Sequence, residues 1–208
     1  MHDRFGDAVR LLVPPDDGYP RALESTFQAI VERGVEAGQD ALRPIAHPRS
    51  VIEPRPGLSR ARQGEIYRRD RFQCRYCTAT LIPASLMELL GELYLDDFPF
   101  HPNWKGGQTH PAILSRSPVI DHVDPGATGG DWRADTNLVT ACWPCNSRKA
   151  DFTLSQLGWA LVEPRDRDWD GLTRFYPGVW IAAGRPKRRY HISWMRALGV
   201  TPPADSQA

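Results

Sequence analysis

Two Cys-x-x-Cys pairs constrain this chain more than any other feature. Cys74 and Cys77 form one pair, Cys142 and Cys145 the other, and together they are all four of its cysteines. Two such knuckles supply four thiolates, which make a closed tetrahedral zinc site with no open position for catalysis, so the expected role is structural. A redox-active pair and unligated core cysteines are the alternative readings. The long stretch between the knuckles is a weak objection, because each doubling of a loop adds only about 0.6 kcal/mol of closure entropy. Zinc binding can contribute on the order of 10 kcal/mol to folding a small unit with little core.

Between the knuckles stands Ile120-Asp-His-Val-Asp-Pro125. An Asp beside a His at the end of an apolar strand has a chemical use, but adjacent strand residues point to opposite faces. A bend at Pro125 and the Gly-rich loop behind it is what would let both serve one site. Asn137-Leu-Val-Thr then leads into the second knuckle, and Asn146 directly follows Cys145, opening a helix that carries Arg148 and Lys149.

Cys74-x-x-Cys77, Asp121-His122, Asn137-Leu138 and Cys142-x-x-Cys145-Asn146-x-x-Lys149, in that order, resemble the HNH endonuclease family over roughly residues 68–151. The resemblance implies an α+β fold with a ββα-metal core. It implies that His122 is the general base that takes a proton from the attacking water, a role suited to an imidazole near neutral pH. It makes Asp121 and Asn146 the ligands of a catalytic cation, and Asn137 a support for the loop between the two strands. Arg148 and Lys149 are implied as phosphate contacts. An Asp with an Asn is a hard oxygen pair, which favours Mg2+ or Mn2+ over softer metals.

The chain departs from that family pattern in an insertion, residues 78–117, between the first knuckle and the Asp-His strand. Leu86, Leu89, Leu90 and Leu93 predict a helix within Leu81–Leu95, followed by an aromatic and proline-rich loop, Asp96 to Trp104. His101 and His110 read as loop packing rather than as ligands. Trp104, Trp132 and Trp143 either stack on bases or cover the small core.

The remaining chain divides by composition. Residues 1–58 read as a helical N-terminal extension, with one amphipathic helix over Tyr19–Leu42 (Leu23, Phe27, Ile30, Val31) and a proline-rich linker over Arg43–Leu58. Residues 59–160 read as the nuclease domain, opened by a helix over Ser59–Arg69 with Ser59 as its cap. Phe72–Cys77 and Val119–Val123 read as strands, and Thr153–Trp159 as a short helix. Residues 161–208 read as a C-terminal extension of weak pattern, with a disordered tail from Pro202.

Net charge is +1 over 208 residues, so no global field favours a nucleic-acid partner. The basic residues are instead patchy. Arg55, Arg60, Arg62, Arg68, Arg69, Arg71 and Arg75 crowd one stretch, which is either a phosphate grip or a solvated helix face. Met1–Arg10 lacks an apolar leader region, and no stretch approaches the roughly 20 apolar residues of a membrane span. A soluble cytoplasmic protein without membrane contacts is the expectation.

The resemblance implies a metal-dependent endonuclease acting on DNA by nicking or double-strand cutting. It would use structural Zn2+ and catalytic Mg2+ or Mn2+, in restriction or defence, a mobile element, or phage DNA processing. The reading from another class is a zinc-ribbon module that binds nucleic acid without cutting it. An RNA nuclease ranks below DNA, since no RNA-binding module is recognisable. The N-terminal helix, the insertion and the segment after Glu163 are where target recognition, or the contact of a homodimer, would be built.

Overall fold

The computed structural model describes residues 19–45, 57–126, 129–165 and 168–204. The chain is α+β, as the resemblance implies: among the described residues, helices accompany one two-stranded antiparallel sheet. Two compact units are present, one holding the N-terminal helices with Ser155–Gly158, the other Gly57–Leu154 with Trp159–Ala208. No helix among the described residues is long and apolar enough to cross a membrane.

In the first unit the single helix expected over Tyr19–Leu42 is two, α1 (Tyr19–Arg33) and α2 (Val35–Leu42). The break is at Gly34, whose φ of 94° lies in the region that glycine tolerates and a helix interior does not. Phe27 and Val31 are 62% and 85% exposed, so the apolar stripe of α1 is not a core face in this chain. Arg43–Ile45 adds a 3-10 turn. The rest of the proline-rich linker, residues 46–56, lies outside the described residues, as do Met1–Arg10 and residues 205–208 of the predicted tail.

The second unit opens with α3 (Arg60–Arg69), capped by Ser59, whose hydroxyl accepts from the Arg62 amide. The expected strand over Phe72–Cys77 contributes a single bridge, Gln73 to Thr80, because the chain turns back at once through the first knuckle. That turn closes with the Thr78 amide donating to the Cys74 carbonyl and the Cys74 amide to Ala79. The insertion supplies α4 (Ala84–Leu93) and α5 (Pro111–Arg116). Strand β1 (Pro118–His122) pairs with β2 (Leu138–Cys142), Pro118 opposite Cys142 and His122 opposite Leu138. Helix α6 (Trp143–Lys149) follows directly, and the predicted helix after it is the short α7 (Leu154–Leu157), most of which groups with the first unit.

Beyond Glu163, where the sequence pattern weakens, the structure has two more helices, α8 (Tyr176–Ala182) and α9 (Arg188–Ala197). They complete a core that the two-stranded ribbon alone does not have. Tyr67 and Phe72, Leu86 and Leu89 of α4, Tyr176 and Trp180 of α8, and Met195 and Leu198 from α9 and its C-terminus form one buried cluster. The insertion and the C-terminal helices therefore stabilise each other by burial of apolar surface. Gly64 lets α3 and α9 approach: a Cβ there would sit 2.0 Å from the Ala197 carbonyl oxygen.

Candidate metal cluster and active site

The two knuckles come together. The sulfurs of Cys74, Cys77, Cys142 and Cys145 all lie within 4.8 Å of one another, and those of Cys77 and Cys142 are 3.8 Å apart. Zinc–sulfur bonds of about 2.3 Å in tetrahedral array give sulfur–sulfur edges of about 3.8 Å, so the donor set and its spacing fit a metal such as zinc. Mutual hydrogen bonding splits the four thiols, holding Cys74 and Cys77 low and Cys142 and Cys145 high. Cys142 also caps α6, its sulfur accepting from the Cys145 amide at 3.4 Å.

Asp70 ties the first knuckle to the second strand. Its fully buried carboxylate accepts from Arg69 at 2.9 and 3.0 Å, from Arg75 at 3.2 Å and from the Thr140 amide at 2.7 Å. Several of the clustered arginines thus face inward or along the surface of the fold. Arg75 also donates to Val162 and Glu163, Arg69 to the Leu138 carbonyl, Arg68 to Ala197, and Arg62 pairs with Asp135 and Glu65. Arg60 lies over the Tyr190 and Trp194 rings. These arginines fasten loops to helices instead of lining one basic face.

The Asp-His strand ends at the far end of the ribbon from the cysteines. Four residues of strand span about 13 Å. Helix α6 returns about 10 Å along that distance, since each residue rises 1.5 Å. The return brings Lys149 to the end of β1, where its ammonium donates to the His122 carbonyl at 2.6 Å and lies 3.4 Å from Asp121 Oδ2. Lys149 is fully buried. The structure therefore places this expected phosphate contact in the interior, while Arg148, half-buried, stays nearer the surface.

Asp121 and His122 leave the strand in different directions, as the pleat requires. Asp121 is buried, and its Oδ2 also accepts from the Tyr76 hydroxyl at 2.5 Å. Burial pushes its carboxyl up, with the Tyr76 and Lys149 contacts opposing that push. Both side-chain partners engage Oδ2, so Oδ1 is the oxygen that neither uses. Asn146 lies three residues before Lys149, on the same face of α6. His122 is half-buried, and its Nε2 lies 3.2 Å from the Trp132 carbonyl oxygen. A carbonyl only accepts, so Nε2 carries the proton and Nδ1 keeps the free lone pair.

Asn137 brackets the loop between the strands. Its Oδ1 accepts from the Asp124 amide at 2.7 Å, and its Nδ2 donates to the carbonyls of Asp124 at 3.0 Å and Asp131 at 2.8 Å. Within the insertion, His110 stacks on Phe98 and caps α5, and His101 accepts from the Asn103 amide. Tyr76 is a member of the site that the sequence does not flag, and Trp132, read there as a ring, acts through its main chain. The only signal for Tyr76 is a hydroxyl inside the first knuckle, and the Trp132 contribution is a main-chain carbonyl with no sequence signature.

A two-strand hairpin followed by a helix, joined to four cysteines positioned to hold a metal and ending in an Asp-His pair, defines an α+β domain of the ββα type. Residues 110–152 match the family model of the HNH endonuclease. The match takes in the Asp-His strand, Asn137, the second knuckle and Asn146, and begins after the first knuckle. No curated protein and no solved structure matches the chain.

Proposed function

We propose that this chain is a metal-dependent endonuclease that hydrolyses DNA phosphodiester bonds. The observation that carries the reading is the His122 imidazole, held by the Trp132 carbonyl in the tautomer that leaves Nδ1 free. Nδ1 accepts the proton of the water that attacks phosphorus, a contribution typically of 10²- to 10⁴-fold. Asp121, through Oδ1, and Asn146 are the side chains to hold the catalytic cation, and two oxygen donors suit Mg2+ or Mn2+. Such an ion supplies charge stabilisation at the phosphoryl group and the departing 3′-oxygen. Lys149 and Tyr76 act one step back, holding Asp121 Oδ2, and Arg148 is the phosphate contact. The cysteine cluster takes Zn2+ and has no part in the reaction.

The second reading, a zinc ribbon that binds nucleic acid without cutting, draws on the burial of Asp121 and its pairing with Lys149. Incubation with supercoiled plasmid across Mg2+ and Mn2+ separates the two. The nuclease reading expects nicked or linear product from the wild type. An intact plasmid that is nonetheless shifted on a gel supports the ribbon.

A further inference from the structure

We propose that the cleft beside His122 receives one unstacked nucleobase of the strand to be cut, so that the protein prefers DNA with an unpaired nucleotide over a continuous duplex. The inference rests on the nuclease reading for its substrate. The cleft has a volume of about 550 Å³ and His122 forms part of its wall. That volume falls within the range of roughly 300–1,000 Å³ typical of sites for small ligands. A base has a planar apolar face and a polar edge, and both find counterparts here. Trp104 from the insertion loop and Tyr190 and Trp194 from α9 supply rings. Tyr190 and Trp194 are four residues apart and share a helix face, and Arg60 lies over both. Aromatic platforms bind bases irrespective of sequence, because every base has a π-face.

The polar groups are few and fixed. The Gln63 amide donates to the Leu58 carbonyl and accepts from the Tyr67 hydroxyl. The Glu88 carboxyl accepts from the Tyr190 hydroxyl through Oε1, and burial pushes it towards the protonated form. Glu88 thus offers a hydrogen-bonding group to a base edge. These walls come from α3, the insertion and α9, and Pro118, Val119, Ile120 and His122 of β1 complete the cleft. Continuity with His122 selects the occupant. A base seated here belongs to a nucleotide beside the phosphate that His122 addresses, and it enters only when free of its stack.

The test compares a fully paired oligonucleotide duplex with the same sequence carrying a single unpaired nucleotide, in Mg2+. Wild type is expected to cut the bulged substrate about tenfold faster, by kcat/KM, in line with the stacking of one base. Trp104→Leu and the cleft-filling Ala84→Phe are expected to bring the ratio of bulged to paired cutting to about one. Unchanged circular-dichroism melting confirms that both variants fold. Equal cutting of the two substrates by wild type, or a ratio that survives both variants, overturns the proposal. Fluorescence-anisotropy binding of the same oligonucleotides by His122→Ala provides a readout without cleavage. A tenfold bulge preference in binding with no cutting by wild type retains the cleft and removes the nuclease reading. Cutting with no preference in either assay removes the cleft alone.

Discussion

The buried Lys149 ammonium donates to the backbone carbonyl of His122 at 2.6 Å. The last turn of α6 is thereby pinned to the end of β1, and the same ammonium lies beside Asp121. A lysine that appears in sequence as a solvent-facing partner of phosphate is instead part of the frame that sets the Asp-His pair.

Removing that ammonium leaves a buried carboxylate with one fewer partner. Lys149→Met is expected to destabilise the fold by about 3–5 kcal/mol, measured by urea denaturation. A residue that only contacts phosphate would leave stability unchanged and alter the salt dependence of binding instead.

The four-cysteine cluster ties the turn at Cys74 and Cys77 to the end of β2 at Cys142. Cys77→Ala, or chelation of the wild type, is expected to lose most of the on the order of 10 kcal/mol that a structural zinc supplies. The readouts are the zinc-to-protein ratio by native mass spectrometry and the thermal melt. A variant with unchanged melting and full zinc content would contradict the assignment.

Much of this arrangement is legible in sequence because it depends on short-range spacing. Two Cys-x-x-Cys pairs, an Asp-His strand end and a Ser59 cap each declare themselves within a few residues. What stays hidden is set by long-range packing. Gly34 breaks the helix through backbone conformation that the amphipathic repeat does not encode. The arginines around Asp70 resemble a phosphate grip until the buried carboxylate and the Leu138, Val162 and Ala197 carbonyls are brought to them. Helices α8 and α9 were unreadable because their apolar residues face a core shared with the insertion. Trp132 acts through a carbonyl, for which any residue type serves.

Asn137 makes three side-chain hydrogen bonds to the main chain of the loop. At about 1 kcal/mol each, Asn137→Ala is expected to cost about 2–3 kcal/mol. Faster hydrogen exchange at the Asp124 amide is the local check.

His191 is buried, and its Nδ1 lies 2.9 Å from the Tyr176 hydroxyl. Burial, with Lys187 adding to it and Glu92 opposing, pulls its pKa down from 6.5 to about 4. The unfolded chain therefore binds a proton between those values that the folded chain does not. Stability attached to this group is complete above pH 6.5 and falls as pH drops through that window, by about 3 kcal/mol in full. His191→Gln is expected to flatten that loss, measured as the difference in unfolding free energy between pH 7.5 and pH 4.

The central claim is that His122 activates water in an assembled site, and the most direct measurement is the rate of plasmid nicking by wild type and His122→Ala at matched zinc content in Mg2+. The account predicts nicking by the wild type and a 10²- to 10⁴-fold loss in the variant, with both proteins holding one zinc. Equal rates in the two proteins, or no nicking by zinc-loaded wild type in Mg2+ or Mn2+, would contradict it.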